Sequence, residues 1–395
     1  MHYFSLLLDE VMIIPASISL HKQQMLKLLL ISHGLDGGIN RVTSDLHAFF
    51  RADESIDSTI IRIGEGREGM PAADAGGQEY NVALRSTSKN IALRIGAWIA
   101  GLNDIRRLVG KKKYDVIVYS GIIPAILMAH TLRHASKTHV FWEHGPQKTF
   151  LKPKRIITSM LPRFAGVISP AQSSLDWLRQ NLNIKATNFC VISNWVNWQK
   201  ITPAAEDQVP GNTFKMAVIS RIDYRQKDFE TLLLAISELV KSGTTFIMVD
   251  IYGTGEDLAK IEASIAQLQL SSYVTLKGHT NQIYSLLPAY DISILPTKWE
   301  GFGLSIAESM AARVIPVSAA VEGVVDVIDD KVTGFLYRPG DAGSLCKIIT
   351  ETMLLSDHQR QTIRDAGRTK VIEQYTPTVQ FNKIKSFLNQ TRSAS

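Results

Sequence analysis

"DISILPTKWEGFGLSIAESMAARVIPV", residues 291–317, decides how this chain is read. "DISILP" has the character of a short buried strand, "TKWEGFG" is a loop holding two glycines, and "LSIAESMAA" has helical spacing. A further strand begins at "VIPV". Strand, glycine turn, helix and strand in succession form the unit of a parallel α/β sheet, whose ligands bind beyond the carboxyl ends of the strands. The loop and the helix each carry a carboxylate, Glu300 and Glu308, with seven residues between them. Spacing alone is weak, because roughly one such pair arises by chance in a chain of this length. The chain contains a second pair, Glu230 and Glu238 in "FETLLLAISELV", with no glycine turn between them. There the apolar positions Phe229, Leu232, Leu233, Ile236, Leu239 and Val240 mark one helix face and leave both glutamates to solvent. Context separates the two pairs.

Outward from this stretch the same alternation repeats. Strands are predicted at 26–32, 57–63, 114–120, 138–144, 166–169 and 188–193, then at 214–220, 245–253, 273–278, 291–296, 314–320 and 334–337. Helical spacing marks 39–50, 91–109, 171–182, 229–242, 255–268, 281–288, 304–312 and 342–355. Two such series predict an α/β protein of two doubly wound, Rossmann-like domains facing each other across a cleft. The domains are placed at 25–196 and 214–374, joined by a polar linker at 197–213 that contains Pro203, Pro210 and Gly211. A last helix within 375–395 has no strand after it and is expected to cross back to the first domain. Residues 1–24 lack a basic start and a clear cleavage site, make a poor signal peptide, and are expected to be a loosely ordered leader before Met25.

Composition narrows the classes. The longest apolar runs, such as 121–129, are too short to cross a bilayer, and two cysteines, Cys190 and Cys346, exclude a disulfide scaffold and fit a reducing compartment. Charge is uneven: residues 1–200 carry 24 Lys+Arg against 15 Asp+Glu, a net of +9, whereas 201–395 carry a net of −3. A basic first half implies an anionic partner there. Residues 148–164 mix Lys152, Lys154, Arg155 and Arg163 with Phe150, Ile156, Ile157, Leu161 and Phe164, a pattern that fits an anionic membrane surface as well as a solvated basic helix. Nucleic acid fits poorly, since few aromatics interleave with the cations and the second half is acidic.

The strand ends hold the chemistry. Gly37 and Gly38 make a turn into a helix that lets backbone approach a phosphate or sugar, although a double glycine is often only a turn. No complete GxGxxG is present, and "YGTGEDL" at 252–258 lacks the third glycine, which argues against a nicotinamide enzyme. Arg221 and Lys227, with Arg225 near them, follow the first strand of the second domain and have the charge to neutralise a diphosphate, or simply form a solvated basic loop. Gly301, Phe302, Gly303 and Leu304 offer backbone N–H groups at a helix start, and Glu308 could accept hydrogen bonds from adjacent ribose hydroxyls. His144 closes "THVFWEHG" and could bond a sugar hydroxyl, or only local backbone. Neither a zinc-like cluster nor a DxD-type acidic pair stands out, so no metal and no cofactor beyond the co-substrate is expected.

Together these residues resemble the family-4 retaining glycosyltransferases of the GT-B fold. The resemblance runs from about residue 25 to the C-terminus and is strongest in "DISILPTKWEGFGLSIAESMA", "IPV" and "VTGFLYRPGD". It implies that Glu308 binds the nucleotide ribose, Glu300 approaches the transferred sugar, and Arg221 and Lys227 hold the diphosphate, with backbone around 302–305 touching sugar and phosphate. Gly37, Gly38 and His144 fall at the family's N-terminal glycine loop and sugar-contacting histidine. Departures include Arg313 where a glycine is common, implying a differently formed turn, "SNWVN" at 193–197, which puts Trp195 near the hinge, and Asp326 where glutamate is more frequent. The implied function is transfer of a hexose from a nucleoside-diphosphate sugar to a hydroxyl of a glycan or lipid-linked acceptor, with retention. It would serve bacterial surface polysaccharide or lipopolysaccharide synthesis, in the cytoplasm or on the inner face of the cytoplasmic membrane. Glu300, His144, Arg221 and Lys227 are the expected catalytic set. A sugar-nucleotide epimerase on the same architecture and a non-catalytic nucleotide-sugar-binding protein are the alternatives.

Overall fold

The computed structural model describes residues 25–33, 38–65, 79–85, 91–110, 112–144, 163–182, 186–205 and 211–394. The leader at 1–24, Gly37, and residues 148–162 of the basic stretch lie outside them.

The first sheet is built from β1 (Leu26–His33), β2 (Ile56–Glu65), β3 (Glu79–Arg85), β4 (Val116–Ser120), β5 (Thr138–Trp142), β6 (Phe164–Ser169) and β7 (Ala186–Val191). Its strands are all parallel, in the order β3-β2-β1-β4-β5-β6-β7. Helices α1 (Gly38–Ala52), α2 (Ile91–Val109), α3 (Ile122–Met128) and α4 (Gln172–Leu182) connect them. The second sheet runs through β8 (Phe214–Ile219), β9 (Ile247–Tyr252), β10 (Val274–Gly278), β11 (Ile292–Leu295), β12 (Ile315–Ala319) and β13 (Phe335–Tyr337), in the parallel order β10-β9-β8-β11-β12-β13. Its helices are α5 (Phe229–Lys241), α6 (Leu258–Gln267), α7 (Ile283–Leu286), α8 (Leu304–Ala311), α9 (Val324–Val327), α10 (Ala342–Met353) and α11 (Asp357–Gln374), and α12 (Pro377–Ser393) closes the chain.

Both faces of the first sheet are apolar and covered, which is why its strands read as continuous hydrophobic runs rather than alternating ones. One face joins Leu29, Ile31, Ile117, Tyr119 and Phe141 to the α2 residues Ile105 and Val109. The other joins Leu28, Val118, Val140 and Trp142 to Phe381, Ile384, Phe387 and Leu388 of α12. This helix begins with Thr376 capping Val379 N–H and Pro377 in the first turn, and it lies against β6 where Gly166 leaves room. A Cβ at Gly166 would stand 2.7 Å from the Phe387 ring. Lys385 pairs with Asp53 at 2.6 Å on the same side. The chain thus passes between the sheets twice, near 192–201 and 375–377, and Val196 N–H bonds Tyr375 O at 2.8 Å where the passages meet.

Several elements differ from the sequence reading. Strand β3 was not expected, because "EYNVALR" carries polar residues throughout, as edge strands do. Helix α11 was also missed: its buried face includes Arg360 and Arg364, so hydrophobic periodicity is faint. Phe164, grouped with the membrane-type stretch, begins β6 and is fully buried in the core. At this turn Arg313 itself takes φ 59°, in the left-handed region that favours glycine, at a cost of about 1 kcal/mol. Its side chain is buried and pairs with Asp365 at 2.5 Å. Trp195 is core: it packs on Trp142 and Phe381 and donates to Asp45 at 3.2 Å. In the 197–213 segment, Ile201 and Ala204 are buried and Ala204 N–H bonds Ala312 O at 2.9 Å, so its first part is packed rather than free.

Candidate active site

In the second sheet the strand order reverses between β8 and β11, and the loops after these two neighbours therefore meet at one crevice. They are stitched together: Lys298 N–H bonds Gln226 O at 2.9 Å and Asp228 N–H bonds Pro296 O at 3.0 Å. This seam brings Lys227 against Glu300. Lys227 Nζ bonds Glu300 Oε1 directly, and both side chains are nearly buried, 9% and 13% exposed. Gln226 Nε2 and the Thr297 hydroxyl approach the same oxygen at 3.4 Å. Arg221 lies exposed at the head of the loop. Arg225 is turned away to Asp223, at 2.9 Å, and Glu256, at 3.2 Å.

Glycines allow these loops to crowd. A Cβ at Gly253 would meet Ser220 O at 1.9 Å, and one at Gly255 would meet Ile222 O at 1.9 Å. The two glycines of "YGTGEDL" therefore serve packing against the Arg221–Lys227 loop, not a dinucleotide turn. Gly303 caps α8 in the left-handed region at φ 85°, and Phe302 turns its ring into the core, edge-on to Tyr375 at 5.0 Å. What remains toward the crevice is backbone, including the N–H groups at Leu304 and Ser305 that the first helical turn does not itself use.

Glu308, in the second turn of α8, is buried. Its Oε1 accepts from the Tyr284 hydroxyl at 2.8 Å and from Arg41 at 2.8 Å. Arg41 stands on α1, one turn after Gly38, so this ion pair joins the two sheets across the cleft. A second tie lies at α4, where Ser173 N–H and hydroxyl both bond Asp326 Oδ2, and Gly323 N–H bonds the Ser173 hydroxyl at 2.9 Å. Glu230 and Glu238 are exposed on α5, as their helical spacing predicts.

On the first sheet, His144 follows β5 and faces the end of β4. Its Nε2 lies 2.6 Å from the Ser120 hydroxyl and its ring packs 4.8 Å from Trp142. Nδ1 is buried with no hydrogen-bond partner among the described residues. Burial pushes the imidazole pKa down to about 3, so the ring is neutral across physiological pH. In an unfolded chain it titrates near 6.5. The unfolded state therefore takes up the proton first, and stability falls as pH drops below about 6.5 toward 3. The His144 ring-proton resonance is expected to stay fixed between pH 8 and 5 in a nuclear magnetic resonance titration, and a midpoint near 6.5 would refute this environment.

Of the sequence-predicted residues, Lys227, Glu300, Gly301, Phe302, Gly303, Leu304 and Glu308 gather at one crevice with Arg221 at its mouth, and Gly38 opens α1 opposite them. Arg41, Tyr284 and Ser120 were missed. The reversal of strand order between β1 and β4 marks the loop after Ser120, and strand order is invisible in sequence. Among the described residues no group of three or more His, Cys, Asp or Glu is placed to hold a metal, and no helix is long and apolar enough to cross a membrane.

Comparison with known proteins agrees with this architecture. Residues 203–370 match the model described as Glycosyl transferases group 1, and residues 36–200 match Glycosyltransferase Family 4. The chain belongs to these glycosyltransferases, and its two facing parallel sheets are the GT-B fold. It is 26% identical over 230 residues to the poly(ribitol-phosphate) alpha-N-acetylglucosaminyltransferase of Staphylococcus aureus (strain COL), a match covering 58% of this chain but only 44% of that enzyme. The UDP-Gal:alpha-D-GlcNAc-diphosphoundecaprenol alpha-1,3-galactosyltransferase of Escherichia coli is 21% identical over 305 residues, 72% of this chain and 77% of that one. Sucrose-phosphate synthase of Thermosynechococcus elongatus superposes with a TM-score of 0.78 at 17% identity, over 94% of this chain and 100% of that chain.

Proposed function

We propose that this protein transfers a hexose from a nucleoside-diphosphate sugar to a hydroxyl of a glycan or lipid-linked acceptor, with the anomeric configuration retained. The observation that carries this reading is the single crevice at the β8/β11 reversal, which holds a buried lysine–glutamate pair, a glycine-rich helix start and a second buried glutamate. In this reading Glu308 receives the ribose hydroxyls. Arg221, Lys227 and the N–H groups at the start of α8 take the diphosphate charge, a task that requires no metal. Glu300, held by Lys227, and His144 serve hydroxyls of the transferred sugar, with Gly38 at the start of α1 on the first-domain side.

The acceptor oxygen attacks the anomeric carbon on the face from which the diphosphate departs. The C–O bond to phosphate breaks as the new C–O bond forms, and the acceptor's proton passes to the departing phosphate oxygen. No side chain is needed as a base. Lys227 and Arg221 lower the barrier by stabilising the charge that grows on the leaving group.

The names of the relatives support UDP-sugars as first donors and a diphosphate-linked lipid or a polyol-phosphate polymer as acceptor. A lipid-linked acceptor, together with the basic first half, supports a peripheral position on the inner face of a bacterial cytoplasmic membrane, with residues 148–163 as the contact. The test is incubation with UDP-galactose, UDP-glucose and UDP-N-acetylglucosamine in the presence of lipid-linked and polymeric acceptors. Acceptor-dependent UDP release with an α-linked product is expected. A β-linked product would refute retention, and conversion of the sugar nucleotide without acceptor would refute transfer. Equal partition onto neutral and anionic vesicles would remove the membrane contact.

A further inference from the structure

Half of the Glu308 acceptor capacity is already taken. A carboxylate oxygen offers two lone-pair positions, and both positions of Oε1 are taken, by Tyr284 and by Arg41, each at 2.8 Å. Two adjacent ribose hydroxyls bonded one to each carboxylate oxygen need a position on Oε1, and in that geometry one of these two partners must give way. The partners are not equivalent. Tyr284 belongs to the same domain as Glu308, and burial, followed by the Glu308 charge, raises its pKa, so it stays a donor. Arg41 comes from α1 of the other domain, 267 residues away, and its side chain is 38% exposed. Released from Glu308, it turns to water at small cost, whereas Tyr284 would leave a hydroxyl more deeply set.

We propose that Arg41 is a competitor for the ribose seat: it occupies Glu308 while no nucleotide is bound, is displaced by the ribose, and retakes Glu308 as the nucleoside diphosphate leaves. This rests on the reading of Glu308 as the ribose carboxylate. Two consequences follow. Because the pair spans the cleft, nucleotide binding releases one polar tie between the sheets and leaves the Ser173–Asp326 tie in place. The binding-competent form is also only a fraction of the population, so the apparent affinity is reduced by that fraction. Removing Arg41 lifts this penalty, the reverse of what losing an ordinary contact does.

The test is calorimetric titration of UDP, GDP and ADP into wild type, Arg41→Ala, Arg41→Gln, Arg41→Lys and Glu308→Ala. For the nucleotide that binds, Arg41→Ala and Arg41→Gln are expected to bind about 3- to 10-fold more tightly, and Arg41→Lys to return toward wild type. In turnover the same two variants should show stronger product inhibition by the released nucleoside diphosphate, in the same ratio. Unchanged or weaker binding in both variants overturns the proposal. If that occurs while Glu308→Ala abolishes binding, the ribose seat stands and only the competitor falls. If Glu308→Ala binds as wild type does, or no nucleotide binds wild type, the seat itself is wrong and the competitor goes with it.

Discussion

Glu308→Ala is expected to weaken nucleoside-diphosphate binding by about a hundredfold or more, while Glu238→Ala leaves it unchanged. Two hydrogen bonds to a charged, largely desolvated carboxylate contribute about 1.5–3 kcal/mol each, and the methyl group that replaces them offers nothing to the ribose. The variant should still fold. Its loss frees Arg41, which is part-exposed and reaches water, and Tyr284, which is half-buried, so no charge is stranded in the core. Glu238 sits exposed on α5, outside the crevice, and its removal should shift stability by no more than about 0.5 kcal/mol. The two glutamates belong to pairs of identical spacing, so the comparison separates motif from context. Titration calorimetry reads both. Equal behaviour of the two variants would leave the Glu300–Glu308 pair without a role in binding.

The second large effect belongs to Lys227→Ala, for which kcat is expected to fall on the order of 10²- to 10³-fold with a smaller change in KM. Charge grows on the leaving diphosphate as the glycosidic bond breaks, and a lysine set in a nearly dry seam stabilises that charge far more than one in water would. The substitution also strands Glu300, only 13% exposed, with contacts no shorter than 3.4 Å from Gln226 and Thr297. A stability loss of about 3 kcal/mol is expected from this alone. Urea titration measures the stability loss, and kinetics well below the melting temperature isolate the catalytic effect. Lys227→Arg keeps the charge and should recover part of both. Loss of stability with kcat preserved would make Lys227 a structural partner of Glu300 and nothing more.

What the sequence made legible follows from where the information lies. The parallel sheets were readable because every strand flanked on both faces is a run such as "LKLLLIS" or "DISILP", and the helices between them have one apolar stripe. Glu300 and Glu308 stood out because a glycine turn between strand and helix is itself a local pattern. Strand β3 was hidden because an edge strand has less to bury, and α11 because it buries arginines. Long-range partners left no trace at all. Arg41 reaches Glu308 over 267 residues and Ser173 reaches Asp326 over 153, and nothing within either segment signals the other. The glycines of "YGTGEDL" were read as an incomplete nucleotide fingerprint, when their purpose is to let one loop lie on another. A motif describes one segment, whereas the crevice is a property of two loops that the strand order makes neighbours.

Calorimetric titration of UDP, GDP and ADP into the purified protein in the presence of EDTA decides whether the crevice is a nucleotide site. On the proposed reading the crevice binds one nucleoside diphosphate per chain without a divalent metal, with Arg221, Lys227 and the start of α8 supplying the positive charge. If none of the three binds, with or without added magnesium, the crevice between β8 and β11 is not a nucleotide site and the transferase reading fails with it.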